Sequence, residues 1–245
     1  MSDSLVIIPT YNEKENVEKM IRTVFSLPKL FHVLIVDDNS PDGTAKIVKD
    51  LKSEFEGLLH IIERPGKLGL GTAYITGFKY ALENNYQYIF EMDCDFSHNP
   101  SDLIRLYEAC SSGGADMSIG SRYVKGVNVV NWPMGRVLMS YFASKYVKFI
   151  LNVPIADTTA GFICYTRKVL ETIDLDKVKF MGYAFQIEMK YSAWKLGFKV
   201  VEVPIVFTDR TEGTSKMSTG IFKEAFFGVI KLRFKKIKPK NDTKQ

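Results

Sequence analysis

Short apolar runs alternate with helix-length segments through the first 120 residues, and the runs stop on polar or acidic residues. A chain written this way is held to an α/β fold with a mostly parallel central sheet flanked by helices, because parallel strands are joined by helical crossovers that cover both faces. Residues 5–8 read as the first strand, and Asn12 with Glu15 three residues on has the form of a capping box opening a helix to about Ser26. Residues 32–36 form the second strand, and Ser40-Pro41 starts a helix. The third strand covers 60–62, with a glycine-rich turn and a helix to about Glu83 behind it. A fourth covers 86–92, Asn99-Pro100 opens the next helix, and 117–119 is a fifth short strand. The later half is less regular: a helix over 133–152, a strand near 162–165, a helix around 186–195, a strand over 200–206 and a terminal helix over 219–237. With no internal repeat and no low-complexity linker, the reading is one domain over 1–218, in two halves of about 1–120 and 121–218. An amphipathic helix and basic tail over 219–245 follow it.

Ligands of such sheets sit outside the carboxyl ends of the strands, so Tyr11-Asn12-Glu13, Asp37-Asp38 and Asp93-Cys94-Asp95 are expected to converge. Two carboxylates as close as Asp93 and Asp95 repel unless a cation lies between them. A hard divalent ion, Mg2+ or Mn2+, takes oxygen ligands and keeps phosphates in its shell, which relieves the conflict. Surface acids or a helix cap give the same triplet, so its place at a strand end is what favours a metal. Gly66-Lys67-Leu68-Gly69-Leu70-Gly71 lacks P-loop spacing and follows the third strand; its glycines read chiefly as a tight turn and close helix packing. Arg136 and Ser140 stand one turn apart on a helix face, and with Arg122 after the fifth strand they make donors for one phosphate; surface solvation is the alternative for any one alone. The polar segment from Arg210 to Lys216 reads as a lid over a diphosphate or as an ordinary linker.

Composition narrows the setting. Three cysteines, Cys94, Cys110 and Cys164, at wide spacing indicate neither a disulfide framework nor a zinc site, and a reducing cytosol is the easier compartment. The chain carries a net +5, yet the last fifteen residues hold seven basic side chains against Asp242 alone, which leaves the body near neutral. General nucleic-acid binding is therefore not indicated. The basic end suits anionic lipid headgroups or RNA, and equally a plain solvated tail. The opening apolar run is too short for a secretory signal, and no stretch reaches the about 18 uninterrupted apolar residues of a membrane span. In the terminal helix Ile221, Phe222, Ala225, Phe226, Val229 and Ile230 fall at helical spacing, the pattern of a helix lying in a membrane interface or of one packed on a core.

With these segments in hand the chain resembles the family 2 glycosyltransferases of the GT-A fold, and within them the polyprenol or dolichol phosphate mannose synthases. The resemblance runs from about Leu5 to Ser218. The wider family is marked by Ile8-Pro9-Thr10-Tyr11-Asn12-Glu13, Val36-Asp37-Asp38-Asn39-Ser40-Pro41-Asp42-Gly43-Thr44 and Met92-Asp93-Cys94-Asp95-Phe96-Ser97-His98. Gly120-Ser121-Arg122-Tyr123 and Asp157-Thr158-Thr159-Ala160-Gly161-Phe162 add to it. Gly182-Tyr183-Ala184-Phe185-Gln186-Ile187-Glu188-Met189 and the segment from Arg210 through Met217 look specific to the lipid-phosphate synthases.

The resemblance implies that Pro9, Tyr11, Glu13, Val36, Asp38 and Cys94 hold the nucleotide of a sugar donor, GDP-mannose. It implies that Asp93 and Asp95, with Ser97, hold Mg2+ or Mn2+ on its diphosphate, while Arg210 and Lys216 close over it. Arg122, Arg136 and Ser140 then clamp the phosphate of a polyprenyl acceptor. Cys94 stands where alanine is common, Ser97 where some members place a glutamine ligand, and Ile163 where a basic residue is frequent. The implied reaction is an inverting transfer giving a polyprenyl phosphate β-mannose, with positioning and diphosphate stabilisation in place of a strong base. The rivals are a UDP-glucose enzyme on the same acceptor and a non-catalytic lipid-phosphate scaffold. Many relatives append membrane spans, so the expected setting is the cytoplasmic face of a membrane, with room for an integral-membrane partner.

Overall fold

The computed structural model describes residues 2–180, 182–209 and 219–240, with the side chains of Tyr183 and 219–225 left aside. Nine strands and eight α-helices follow one another among these residues. The first 121 residues build β1 (Ser4–Thr10), α1 (Val17–Phe25), β2 (His32–Asp37), α2 (Thr44–Leu51), β3 (Leu59–Glu63), α3 (Leu70–Glu83), β4 (Tyr88–Glu91), α4 (Asp102–Ser111) and β5 (Met117–Ser121). After them come β6 (Val129–Val130), α5 (Met134–Leu151), β7 (Ile163–Thr166), α6 (Arg167–Thr172), α7 (Tyr183–Lys195), β8 (Val200–Pro204), β9 (Phe207–Thr208) and α8 (Thr219–Phe234).

Seven strands form one sheet in the order β3-β2-β1-β4-β7-β5-β8, and β6 pairs with β9 beside it. Every strand of the large sheet runs parallel except β7, which lies antiparallel between β4 and β5. Alternation along the buried strands divides the core in two. Leu5 and Ile7 face α3, α7 and α8, whereas Val6 and Ile8 face α1, α2 and α4. The glycine-rich turn packs as its sequence implies. A Cβ on Gly71 would stand 2.8 Å from the Phe180 carbonyl oxygen and from the Phe185 ring, so only glycine lets α3 meet α7 there.

Four helix boundaries depart from the sequence reading. The capping box at Asn12 and Glu15 does not form: α1 begins at Val17, and Asn12 sits at φ 57°. Its backbone N–H is used instead to donate to Ser40 Oγ, at 3.0 Å, across to the next loop. Ser40 is likewise no helix start, since its own N–H and hydroxyl both donate to Asp37, and α2 opens at Thr44 behind Gly43 in the left-handed region. The Ser40 hydroxyl, which would cap a helix, instead ties the two loops together. Asn99-Pro100 precedes a turn, so α4 starts at Asp102, and α8 stops at Phe234, three residues before the expected end.

Candidate active site

The loops after β1 and β2 are stitched by their own polar side chains. Thr10 Oγ1 donates to Asp37 Oδ1 at 2.8 Å, the Asp38 N–H donates to the Thr10 carbonyl, and the Glu13 N–H donates to Thr44 Oγ1. This holds Pro9, Tyr11, Glu13 and Asp38 at one edge of the sheet, as the strand ends require. Val36 and Cys94, two other expected nucleotide contacts, turn their side chains into the core, which leaves only their backbone for a ligand. Asp38 is not alone: the buried guanidinium of Arg64 donates to Asp38 Oδ1 through Nε at 2.6 Å, to Thr72 Oγ1 at 2.7 Å and to the Gly69 carbonyl. Arg64 thus ties the second strand to the glycine turn. Lys67, from that same turn, lies 5.0 Å from the centre of the Tyr11 ring, an electrostatic contact of cation on π-face.

Beside this edge lies a cavity of about 520 Å3 with a mixed lining. Its polar lining includes Asp93, Asp95, Ser97, Arg122, Arg136 and Ser140, and its apolar lining includes Met139, Phe142, Tyr146 and Val147 of α5 with Phe226 and Val229 of α8. The expected carboxylates and the expected acceptor clamp therefore face one space. Asp95 is buried and accepts the Ser97 N–H at 3.1 Å, while the Ser97 hydroxyl is buried with no partner among the described residues. Burial, followed by the charges of Asp93, Glu91 and Asp95, pushes the Tyr74 hydroxyl behind them well above the usual phenol range. Among the described residues no cluster of three His, Cys, Asp or Glu side chains forms a complete metal cage. Two carboxylates and a hydroxyl opening on a cavity do fit a hard divalent ion that completes its shell from substrate oxygens and water.

Arg122 is spent on structure as well as on the cavity. Its Nε and Nη2 donate to the two oxygens of Asp157 at 2.7 Å each, its backbone N–H donates to Asp157 Oδ2, and Nη2 also reaches Thr159. Arg136 donates to Asp209 at 2.8 Å. The Trp132 ring gathers both guanidiniums, with Arg136 at 4.2 Å and Arg122 at 5.6 Å from its centre. Ser140 Oγ accepts the Tyr123 hydroxyl at 2.8 Å. Arg210 and Lys216, the expected lid, lie outside the described residues.

His98 lines the same cavity but is stacked on Phe162 at 5.0 Å, and burial lowers its pKa to about 4, so it is neutral near pH 7. The sequence reading missed a buried layer underneath. Glu91, wholly buried at the end of β4, accepts from Tyr165 at 3.0 Å and from Gln186 Nε2; burial pushes its carboxyl up to about 8. Lys190, one turn beyond Gln186 on α7, donates to the carbonyls of Thr158 and Ala160, and burial brings its amine down to about 8. A glutamate inside an apolar strand run was the one sequence signal of this layer.

Solved structures share this architecture. A glucosyl-3-phosphoglycerate synthase from Mycobacterium tuberculosis superposes with a TM-score of 0.66 at 14% identity, covering 94% of this chain and 79% of that one. A mannosyltransferase from Pyrobaculum calidifontis, in complex with GDP-Man and Mn2+, gives 0.58 at 17% identity over 94% and 69%. The fold is thus that of the GT-A glycosyltransferases. The model of glycosyl transferase family 2 matches residues 5–174, and the chain belongs to that family. Among curated proteins it is 47% identical to polyprenol monophosphomannose synthase of Mycolicibacterium smegmatis, over 92% of this chain and 85% of the relative. It is 43% identical to undecaprenyl-phosphate mannosyltransferase of Micrococcus luteus, over 93% and 92%.

Proposed function

We propose that the protein transfers mannose from GDP-mannose to a polyprenyl phosphate with inversion at the anomeric carbon. The observation that carries this reading is the mixed lining of one cavity: charged groups for two phosphorylated reactants together with apolar side chains of α5 and α8 for the isoprenoid. The curated relatives bear names with the same sugar and acceptor class. We assign the nucleotide to the edge formed by Tyr11, Glu13 and Asp38, and the donor and acceptor halves to about 1–120 and 121–218.

Asp93, Asp95 and Ser97 would hold Mg2+ or Mn2+, which supplies positive charge to the departing diphosphate. Arg136 and Ser140, with Arg122 beside them, hold the lipid phosphate so that one of its oxygens faces the anomeric carbon. That oxygen is already anionic near neutral pH, so no proton need be removed before it attacks. The new C–O bond forms as the bond to the diphosphate breaks, and the leaving GDP carries away the electron pair. Arg210 and Lys216 are assigned to that leaving diphosphate. The deciding experiment offers a panel of radiolabelled nucleotide sugars with polyprenyl phosphate and Mg2+ or Mn2+. Labelled lipid from GDP-mannose supports the reading; label from UDP-glucose alone replaces the sugar, and none with any donor favours a scaffold.

Arg136→Ala is expected to raise the KM for polyprenyl phosphate about tenfold or more while GDP binding stays unchanged. Parallel titrations with lipid and with GDP measure the two effects, and equal losses would remove Arg136 from the acceptor side.

We also place the protein peripherally on a membrane, at its cytoplasmic face. Among the described residues no helix is long and apolar enough to cross a bilayer. Along α5 and α8, however, Phe142, Phe149, Phe227 and Phe234 stand exposed, Phe149 by 83% and Phe234 by 80%, with Lys145, Lys148, Lys231 and Arg233 among them. An apolar face edged with positive charge suits an anionic bilayer. Phe149→Glu is expected to cut recovery with anionic vesicles severalfold in flotation, leaving turnover of a detergent-dispersed acceptor near that of the unmodified protein. Unchanged flotation would move the contact elsewhere.

A further inference from the structure

Gln186 is 2% exposed, lines the cavity that holds Asp93 and Asp95, and occupies the first turn of α7. Its two amide atoms have different fates. Nε2 donates to Glu91 Oε2, whose companion Oε1 already accepts the Tyr165 hydroxyl, so both carboxylate oxygens are covered by donors. With Nε2 so used, Oε1 is the atom left over, buried and without a partner among the described residues. The helix that carries it does not swing freely: Phe185 stacks on Tyr74 at 6.0 Å, and Gly71 of α3 closes against Phe180 and Phe185. Lys190, one turn on, fixes the loop of Thr158 and Ala160 that borders the same space.

An amide oxygen only accepts. The two carboxylates, the diphosphate and the lipid phosphate assigned to this cavity are acceptors too; its guanidiniums are engaged, Arg122 by Asp157 and Thr159 and Arg136 by Asp209, and the ion is assigned to Asp93, Asp95 and Ser97. What remains in the reacting pair is the sugar, whose hydroxyls donate and which must pass between the aspartates and Arg136. We propose that Gln186 is a specificity-determining residue, its Oε1 held by Glu91 to accept a hydrogen bond from one hydroxyl of the transferred sugar. The assignment rests on the transfer reaction proposed above and adds the place where the sugar itself is read.

The test is a cycle between residue and ligand, using Gln186→Met with GDP-mannose and its 2-, 3-, 4- and 6-deoxy analogues. With the unmodified enzyme, one analogue is expected to lose on the order of a hundredfold in kcat/KM, because a buried acceptor is left unpaired. Gln186→Met should lose a similar factor with GDP-mannose and nothing further with that same analogue, while the other analogues keep their own separate losses. Binding of GDP alone, followed by calorimetry, should not change. Should Gln186→Met fold poorly, Glu91 provides the second arm. Glu91→Gln keeps an acceptor for Nε2 and should keep the hydroxyl preference, whereas Glu91→Leu releases the amide and should flatten it with GDP affinity intact. Additive losses for every analogue, as expected if Oε1 merely meets water, would overturn the assignment. So would weaker GDP binding in Gln186→Met. An unmodified enzyme that transfers no sugar would overturn the reaction and this assignment together; one that transfers normally but shows only additive losses would overturn this assignment alone.

Discussion

Asp95→Asn is expected to lower transfer by about a thousandfold or more while leaving the melting temperature within a degree or two of the unmodified protein. The two outcomes separate because Asp95 serves the fold and the chemistry through different features. The fold uses one of its oxygens, as acceptor for the Ser97 N–H, and an asparagine oxygen accepts that bond equally well. The chemistry uses its charge, which together with Asp93 faces the cavity shared with Arg136 and Ser140. Replacing a carboxylate by an amide weakens a hard-cation site far more than it disturbs packing, since an isosteric side chain leaves no void. Turnover with Mg2+ and Mn2+, read beside a thermal melt, checks both halves. Undiminished metal-dependent turnover would take the ion away from these aspartates.

The second large effect falls on stability. Asp157→Asn should cost about 3–5 kcal/mol, because it leaves the buried Arg122 guanidinium without its countercharge. For a chain of this size that is a fall in melting temperature on the order of 10 °C. A double variant with Arg122→Met alongside should regain much of the loss, because the uncompensated charge is then gone. The pair also sets an acid limit. Burial alone would raise the Asp157 carboxyl, but the Arg122 charge and hydrogen bonds outweigh it and hold its pKa below the ordinary value. A folded value below the unfolded one means that the stabilisation is complete above the unfolded carboxylate pKa of about 3.9 and is lost as pH falls through the folded value. Urea melts between pH 7 and pH 3 should therefore show the gap between the Asp157→Asn and unmodified proteins starting to narrow below about pH 4. A constant gap between them would mean that the pair is not the source.

Much of this was legible from residues alone, for identifiable reasons. The helix over 133–152 was placed almost to the residue because Pro133 can only begin it and Asn152, at φ 53°, ends it in the left-handed region. Asp93, Asp95, Arg136 and Ser140 fall together because the ends of parallel strands and one helix face are forced to a common edge. The starts of α1 and α2 were misjudged because the Asn12 backbone N–H and the Ser40 hydroxyl bond to each other across two loops, a choice that only tertiary structure reveals. Glu91, Gln186, Lys190 and the Arg122–Asp157 pair stayed hidden for a related reason. A buried charge is tolerated only by partners far away in sequence, here up to 95 residues for Glu91 and Gln186. Arg64, whose fork joins Asp38 to the glycine turn, belongs with them.

The reversed strand β7 bears on how a newly made chain can mature. It supplies the only described hydrogen-bonded bridge between β4 and β5 within the sheet, yet it is synthesised after both. As the polypeptide leaves the ribosome, β1 to β4 can associate early, but β5 must wait for Thr166 to emerge before it is locked in place. Fragments cut before Ile163 would leave one margin of β4 and both margins of β5 unpaired, which makes such truncations prone to self-association.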